Sequence, residues 1–273
     1  MSVIAISRGS LSAATRLAEG VGTRLGSRVT DREQVLAAAE RYGIGETGLD
    51  MRQILTRHSP GFWEQYSVAR RHYLACFKAA LLDLVLEGPL VYHGNLAHAL
   101  LQEVPFVLRV RVNAPMENRV ETMMAELGLS RYDTIRRIEA IDNERKRWTE
   151  FLYNRDILSA SQYDVVLNLS RVSIGDGIEM VAAAVRQDAF QRTPDGIKRV
   201  RNLRLATVAE IRLMQNRDTY GLPVAVTADS DRAEVTVSLA LDGGDKGVVE
   251  QQVRTAIEGL DEVQKLDVRV KID

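Results

Sequence analysis

The sequence predicts an α/β protein: a parallel sheet with helices on both faces, followed by a small C-terminal α+β module. Three observations carry this expectation. Short runs rich in Val, Ile and Leu alternate with segments of helical apolar spacing through residues 1–190, the pattern of strands buried on both faces. The polar, basic stretch "QRTPDGIKRVRN" then breaks the alternation. Beyond it, "AEVTVSLAL" and "KLDVRVKI" switch to strict period-two alternation, as in half-buried strands. A chain of 273 residues is long enough for one medium domain and one small one.

The elements follow in order. Val3–Ile6 reads as the first strand, and Leu17, Val21 and Leu25 mark one face of the helix after it. A brief extended piece around Val29 leads through Asp31 into a helix with Val35, Leu36 and Ala39 on one side. Residues 61–87 read mostly as helix, after which "GPLVYHGN" supplies a break, a strand at Leu90–Tyr92 and a turn. "HALLQEV" starts another helix. Val107, Val110 and Val112 mark a strand, and Pro115 sits near the first turn of the following helix. "SRYDTIRRIEAIDNERKRWTEFLYNRD" reads as a long charged helix, and "QYDVVLNLSRVSIGDGIEMVAAAVRQ" as a buried strand at Val165–Leu169 with a final helix. Residues 191–201, with the turn signal Thr193-Pro194-Asp195-Gly196, read as a linker. Residues 202–273 then follow as helix (Leu203 to Asn216), strand, strand, helix and strand, an αββαβ order.

Bulk composition excludes several classes of partner. Hydrophobic residues at 45%, charged residues at 27% and a net charge of −1 give no global attraction to nucleic acid or anionic membrane. Residues 202–273 carry nine Lys and Arg against thirteen Asp and Glu, so the tail is acidic. No nucleic-acid partner and no transmembrane segment are expected. The N-terminus "MSVIAISRGS" lacks the apolar stretch of a signal peptide, and Lys78 and Asp83 interrupt the most apolar helix. The single cysteine, Cys76, has no internal disulfide partner and lies in the helical context "HYLACFKAALL", which points to an inert buried thiol and a cytoplasmic location.

"ISRGSLSAATRLAEG" joins a strand to a helix through small residues. Such a junction gathers free backbone N–H groups and the positive end of a helix dipole, which suits phosphoryl oxygens. The phosphate-cradling pattern G-x-x-x-x-G-K-[ST] adds a Lys for the terminal phosphates and a hydroxyl for magnesium. Gly9 fills its first position, but Ala14 stands at the second Gly, Thr15 at the Lys and Arg16 at the hydroxyl. Arg8, Ser10, Ser12 and Arg16 are left as side-chain donors. A plain structural strand-to-helix turn fits the same residues.

Over roughly residues 1–188 the chain resembles the cytidylate-kinase-like family of P-loop nucleoside monophosphate kinases. The residues that carry the resemblance are "ISRGSLS", Asp31-Arg32-Glu33, "VYHGNLAHALLQEVPFVLRVRVNAPMENRV", "IDNERKRW" and "YDVVLNLSRVSIGDGIEMV". The resemblance implies a nucleotide-kinase-like parallel sheet and assigns Gly9 to Arg16 to the donor-nucleotide loop. It assigns Asp31 to the monophosphate pocket, the turn His93-Gly94-Asn95 to the acceptor segment, and Arg145 with its neighbours, Arg137 among them, to a phosphate-clamping lid. Active relatives place a D-G-R-D-like sequence where this chain has His93-Gly94-Asn95-Leu96. Asn95 therefore replaces the acceptor Arg, and an amide cannot reproduce its bidentate grip on phosphate. The tail resembles a BON domain, which implies a protein or phospholipid partner.

Bland readings compete with each of these. Asp31 serves equally as a helix N-cap. Arg136, Arg137, Arg145 and Arg147, interleaved with Glu139, Asp142 and Glu144, fit a solvated helix with i,i+4 pairs. His58, His72, His93 and His98 lack carboxylates or thiols at ligand spacing, so hydrogen-bonded histidines are expected and no metal site is. "KRVRNLR" at 198–204 fits a solvated linker, and Trp63 and Trp148 fit packing. The leading expectation is a nucleotide-binding protein with ATP or another nucleotide as ligand, reduced or lost phosphoryl transfer, and a sensing or regulatory role. Two others stay open: an active kinase in which Arg8 or Arg16 replaces the Lys, with Mg2+ required, and a scaffold whose tail does the binding.

Overall fold

The computed structural model describes residues 2–8, 11–45, 67–94, 97–153, 159–241 and 243–272. These divide into two compact units. The first contains residues 2–34 and 87–192, and the second residues 35–45, 67–86 and 193–272.

In the first unit, strand β1 (Val3–Arg8) precedes helix α1 (Leu11–Leu25), and β2 (Arg28–Asp31) leads directly into α2 (Arg32–Ala39). After helix α3 (Ser67–Glu87), which belongs to the second unit, as does α2 from Val35 on, come β3 (Leu90–Gly94) and the short α4 (Ala97–Leu100). Then come β4 (Val107–Asn113), α5 (Met116–Leu127), α6 (Arg131–Tyr153), β5 (Val165–Asn168) and α7 (Ile174–Ala184). The five strands are parallel in the order β2-β3-β1-β4-β5. The α/β expectation and its element order are met. One face of the sheet buries Ile4, Ile6, Val91, Leu108 and Val110 against Leu17 and Val21 of α1 and Val181 of α7. Gly20 lets α1 and α7 approach, because a Cβ there would lie 2.2 Å from the Ile178 side chain. On the other face α4 packs over β1, β3 and β4.

Two local readings change. The helix read at "HALLQEV" is only four residues long, since the chain turns at residues 101–103 ahead of Pro105, and a residue before proline is pushed out of the helical region. Pro115 is the N-cap of α5, beside its first turn as expected. Strand β5 is an edge strand: only Leu167 is buried, and Val166 is 46% exposed.

The second unit contains a three-stranded sheet, β6 (Val224–Asp229), β7 (Glu234–Leu241) and β8 (Lys265–Ile272), in the order β6-β7-β8. The β6–β7 pair is antiparallel and the β7–β8 pair parallel. Helices α8 (Pro194–Gln215) and α9 (Lys246–Ile257) pack on one face through Leu205, Ala209, Leu213, Val253 and Ile257, which meet Val235, Val237, Val268 and Val270. The αββαβ order is thus observed. Residues 194–201, read as linker, form the first turns of α8: Thr193 accepts a hydrogen bond from the Gly196 N–H at 3.0 Å, and Pro194 occupies the first turn. A Thr-Pro-Asp start suits a helix N-terminus as well as a turn.

An ionic cluster ties α3 into this unit. Asp83 accepts hydrogen bonds from the Tyr42 hydroxyl (2.5 Å), from Arg204 Nε (2.8 Å) and from Arg41, while Arg204 also pairs with Glu262. Arg204 is therefore a structural cation and not part of a solvated linker, and Lys198 pairs with Asp231 at 2.6 Å. Cys76 is buried with Sγ 3.2 Å from the Tyr42 carbonyl oxygen, as expected of an inert thiol. Burial, and then the hydrogen bond to Asp83, push the Tyr42 phenol up to about 12 from 10.0. Between those two values the unfolded chain loses the phenol proton while the folded protein keeps it, so stability falls as pH rises through that window. Urea midpoints measured across this range are expected to fall less steeply for Tyr42→Phe than for the wild type.

Candidate functional site

Strand β1 lies at the centre of the sheet, with β3 and β2 on one side and β4 and β5 on the other. In open parallel sheets, ligand crevices form beyond the carboxyl ends of strands where the order reverses in this way. The parallel register brings those ends together: Ser7 faces Gly94, Arg8 faces Val112, and Asp31 faces His93.

Of the residues singled out in the sequence, Gly9, Ser10 and Asn95 lie outside the described residues, as do the side chains of Arg8, Ser12 and Arg145. Trp63, His58 and the Trp148 side chain lie outside them too. Ala14 is fully buried in the α1 core face, so its side chain packs and faces no ligand. Thr15, Arg16 and Arg137 come together. They line a cavity of about 420 Å³ with Met123, Glu126 and Leu127 of α5 and Ile141 of α6. The cavity forms because Gly128, in the left-handed region at φ 65°, ends α5 and lets α6 fold back beside it. Ion pairs between the two helices then fix their packing, with Arg119 on Asp142 at 2.7 Å and Arg131 on Glu117 at 2.6 Å. The hydrogen bond from Arg131 holds the Glu117 carboxyl below its usual range. These two ion pairs bridge α5 and α6.

Several arginines of this unit are held in ion pairs, and two that line the cavity are not. Arg24, Arg28, Arg109, Arg119 and Arg131 each pair with a carboxylate. Arg16 and Arg137 are exposed, line the same cavity and have no ion-pair partner among the described residues. Two arginines against one carboxylate, Glu126, leave this recess a net positive lining that suits an anion with several oxygens. The apolar side chains of Met123, Leu127 and Ile141 beside them suit a planar ring.

Asp31 is a helix cap. Its Oδ1 accepts from the Gln34 N–H at 2.9 Å, and the Gln34 side chain accepts from the Asp31 N–H at 3.1 Å, a reciprocal capping box. His93 is buried at the end of β3. Gly94 is required by packing: a Cβ there would lie 2.5 Å from the Tyr92 hydroxyl and 2.8 Å from Cζ, and Tyr92 is fully buried. Gly94→Ala is expected to lower stability by about 1–3 kcal/mol, the usual cost of overpacking, as a lower urea midpoint. Among the described residues no group of His, Cys, Asp and Glu has the arrangement of a metal site.

The sequence pattern missed Met123, Glu126, Leu127 and Ile141. Their i,i+3 and i,i+4 spacing was visible, but it does not say which helices meet. His98 was read as an ordinary hydrogen-bonded histidine, and it is one: Nδ1 lies 2.9 Å from Ser7 Oγ and Nε2 3.0 Å from Gln162 Oε1.

The model of the "Cytidylate kinase-like family" matches residues 3–171, from β1 through β5. The chain belongs to the cytidylate kinase-like family. The family match spans every singled-out residue from Arg8 to Arg145. A cytidylate kinase of Methanopyrus kandleri is 33% identical over 107 residues, which is 38% of this chain and 54% of that protein. The cytidylate kinase-like chain thus spans about half the length of this curated relative. Among solved structures, a protein of Eubacterium ventriosum aligns with a TM-score of 0.48 and 13% identity over 67% of this chain and 97% of its own. TT1252 from Thermus thermophilus aligns with a TM-score of 0.42 and 20% identity over 67% and 95%. No helix of the described residues is long and apolar enough to cross a membrane.

Proposed function

We propose that this cytidylate kinase-like protein binds a nucleotide at the cavity between α1, α5 and α6, with Arg16 and Arg137 on its phosphates, and that phosphoryl transfer is lost or much reduced. The observation that carries the proposal is that Arg16 and Arg137, neither of them in an ion pair among the described residues, line one cavity in which Glu126 is the single acidic residue. Met123, Leu127 and Ile141 supply apolar surface for the base. Reduced transfer follows from the chemistry at two positions. Thr15 stands where an ammonium group would neutralise the transferred phosphoryl, and Asn95 where a guanidinium would grip the acceptor. Losing one transition-state contact of this kind costs about 3 kcal/mol, or more than a hundredfold in rate. The protein then serves as a nucleotide sensor, a pseudokinase, and its BON-like αββαβ module takes the protein or phospholipid partner.

One observation favours a second reading. Arg16 lines the same cavity as Thr15, so its charge is a candidate substitute for the missing ammonium in an active nucleoside monophosphate kinase that uses ATP and Mg2+. The two readings separate in one experiment. Nucleoside mono-, di- and triphosphates are screened for stabilisation with and without Mg2+, and ADP formation from ATP is followed with CMP, UMP or AMP as acceptor. Stabilisation without turnover supports the sensor, because a ligand of the folded state raises its stability by mass action. Turnover at ordinary kinase rates, abolished by Arg16→Ala, overturns it. No stabilisation at millimolar nucleotide removes both readings and leaves the tail as the binding element.

A further inference from the structure

We infer that His98 is a positioning residue that holds the end of β1, just ahead of α1 in the chain, against the segment after β3 and the turn before β5. Its bearing on ligand binding rests on the nucleotide reading above, but the tie itself stands on geometry alone. Ser7 is the last residue of β1 before Arg8, faces Gly94 across the sheet and is only 5% exposed. Its Oγ lies 2.9 Å from His98 Nδ1, and His98 Nε2 lies 3.0 Å from Gln162 Oε1. An amide oxygen only accepts, so this network assigns the imidazole proton to Nε2 and makes Nδ1 the acceptor of the Ser7 O–H.

The ring is held on a further side. The Tyr163 centroid lies 4.5 Å from that of His98, and the Arg111 guanidinium lies 5.7 Å over the Tyr163 ring. Arg111 is the register partner of Ser7 on β4. The contacts therefore close a circuit of Ser7, His98, Tyr163 and Arg111 that returns to Ser7 through the sheet. His98 is 3% exposed, and a buried imidazole is tolerated only when its polar atoms are satisfied, as both ring nitrogens are. One side chain thereby joins three segments separated by 91 and 64 residues. These are the end of β1, the short helix α4, and the turn at residues 160–162 before β5.

The test is peptide-level amide hydrogen exchange on the full, ligand-free chain for wild type, Ser7→Ala, His98→Phe and His98→Asn. Loss of a buried hydrogen bond is expected to speed exchange about fivefold or more in residues 8–14 for Ser7→Ala and His98→Phe, with residues 3–6 unchanged. His98→Phe also speeds residues 159–163. His98→Asn, whose amide oxygen replaces Nδ1 as acceptor, restores residues 8–14 but not 159–163. Unchanged exchange at 8–14, or an equal rise at 3–6 in both variants, overturns the inference. Should His98→Phe fail to fold, Ser7→Ala and His98→Asn decide it. With ATP as probe, affinity falls in the variants whose residues 8–14 loosen. A wild type that binds no ATP overturns the nucleotide reading and leaves the exchange result to decide His98.

Discussion

Replacing Arg16 and Arg137 together by alanine is expected to lower nucleotide affinity by about a hundredfold or more, with folding unchanged. A hydrogen bond to a charged group contributes about 1.5–3 kcal/mol, so losing two such contacts removes at least two decades of affinity. Both side chains are exposed and have no carboxylate partner among the described residues, so the alanine variants leave no stranded charge in the fold. Titration calorimetry with ATP checks the affinity, and circular dichroism checks the fold. Arg137→Lys separates charge from geometry. It keeps the charge but loses the fork that matches two phosphate oxygens, so it is expected to fall between wild type and alanine. An affinity unchanged in the double variant would place the nucleotide elsewhere.

The second large effect concerns stability. Asp83→Ala is expected to destabilise the protein by about 3 kcal/mol, near the lower end of the range for breaking a buried pair. Its carboxylate receives Arg41, Tyr42 and Arg204, and the side chains of Asp83 and Arg204 are 15% and 21% exposed. Without Asp83, Arg204 keeps Glu262 as a partner, but the Tyr42 hydroxyl and Arg41 lose the shared acceptor. Asp83→Asn, which retains an oxygen acceptor and loses the charge, is expected to cost less. Urea unfolding followed by circular dichroism measures both. Equal midpoints for wild type and Asp83→Ala would show the cluster to be a surface ornament.

The order of elements was legible because each segment carries a clear period. Apolar runs at Val3–Ile6 and Val107–Val112 alternate with the Leu17, Val21, Leu25 stripe of α1, and the tail strands alternate at period two. What the period does not encode is which side chain an ion or a cap will claim. Thr193-Pro194-Asp195-Gly196 has the same chemistry as a turn and as a helix start, and the helix won because Ile197 and Val200 continue an apolar face. Arg204 sits in a basic run that resembles a solvated segment, yet its partners Asp83 and Glu262 lie 121 and 58 residues away. The site divides in the same way. Thr15, Arg16 and Arg137 were named from sequence and meet at one cavity, whereas Glu126 and Ile141 join them only because α5 and α6 fold back on each other. Asp31 was left between cap and ligand, and Gln34 three residues on was the signal for the cap.

The second unit draws on chain from both before and after the β3–β5 region, and this has a consequence for birth on the ribosome. Asp83 leaves the exit tunnel after Arg41 but well before its second cation, Arg204, which is 121 residues further along. At the usual elongation rate of about 5–20 residues per second, the nascent carboxylate has Arg41 alone for on the order of ten seconds before Arg204 completes the cluster. A gene fragment beginning at residue 202 would never supply that carboxylate, so the tail cannot be excised as a cassette with its salt bridges intact.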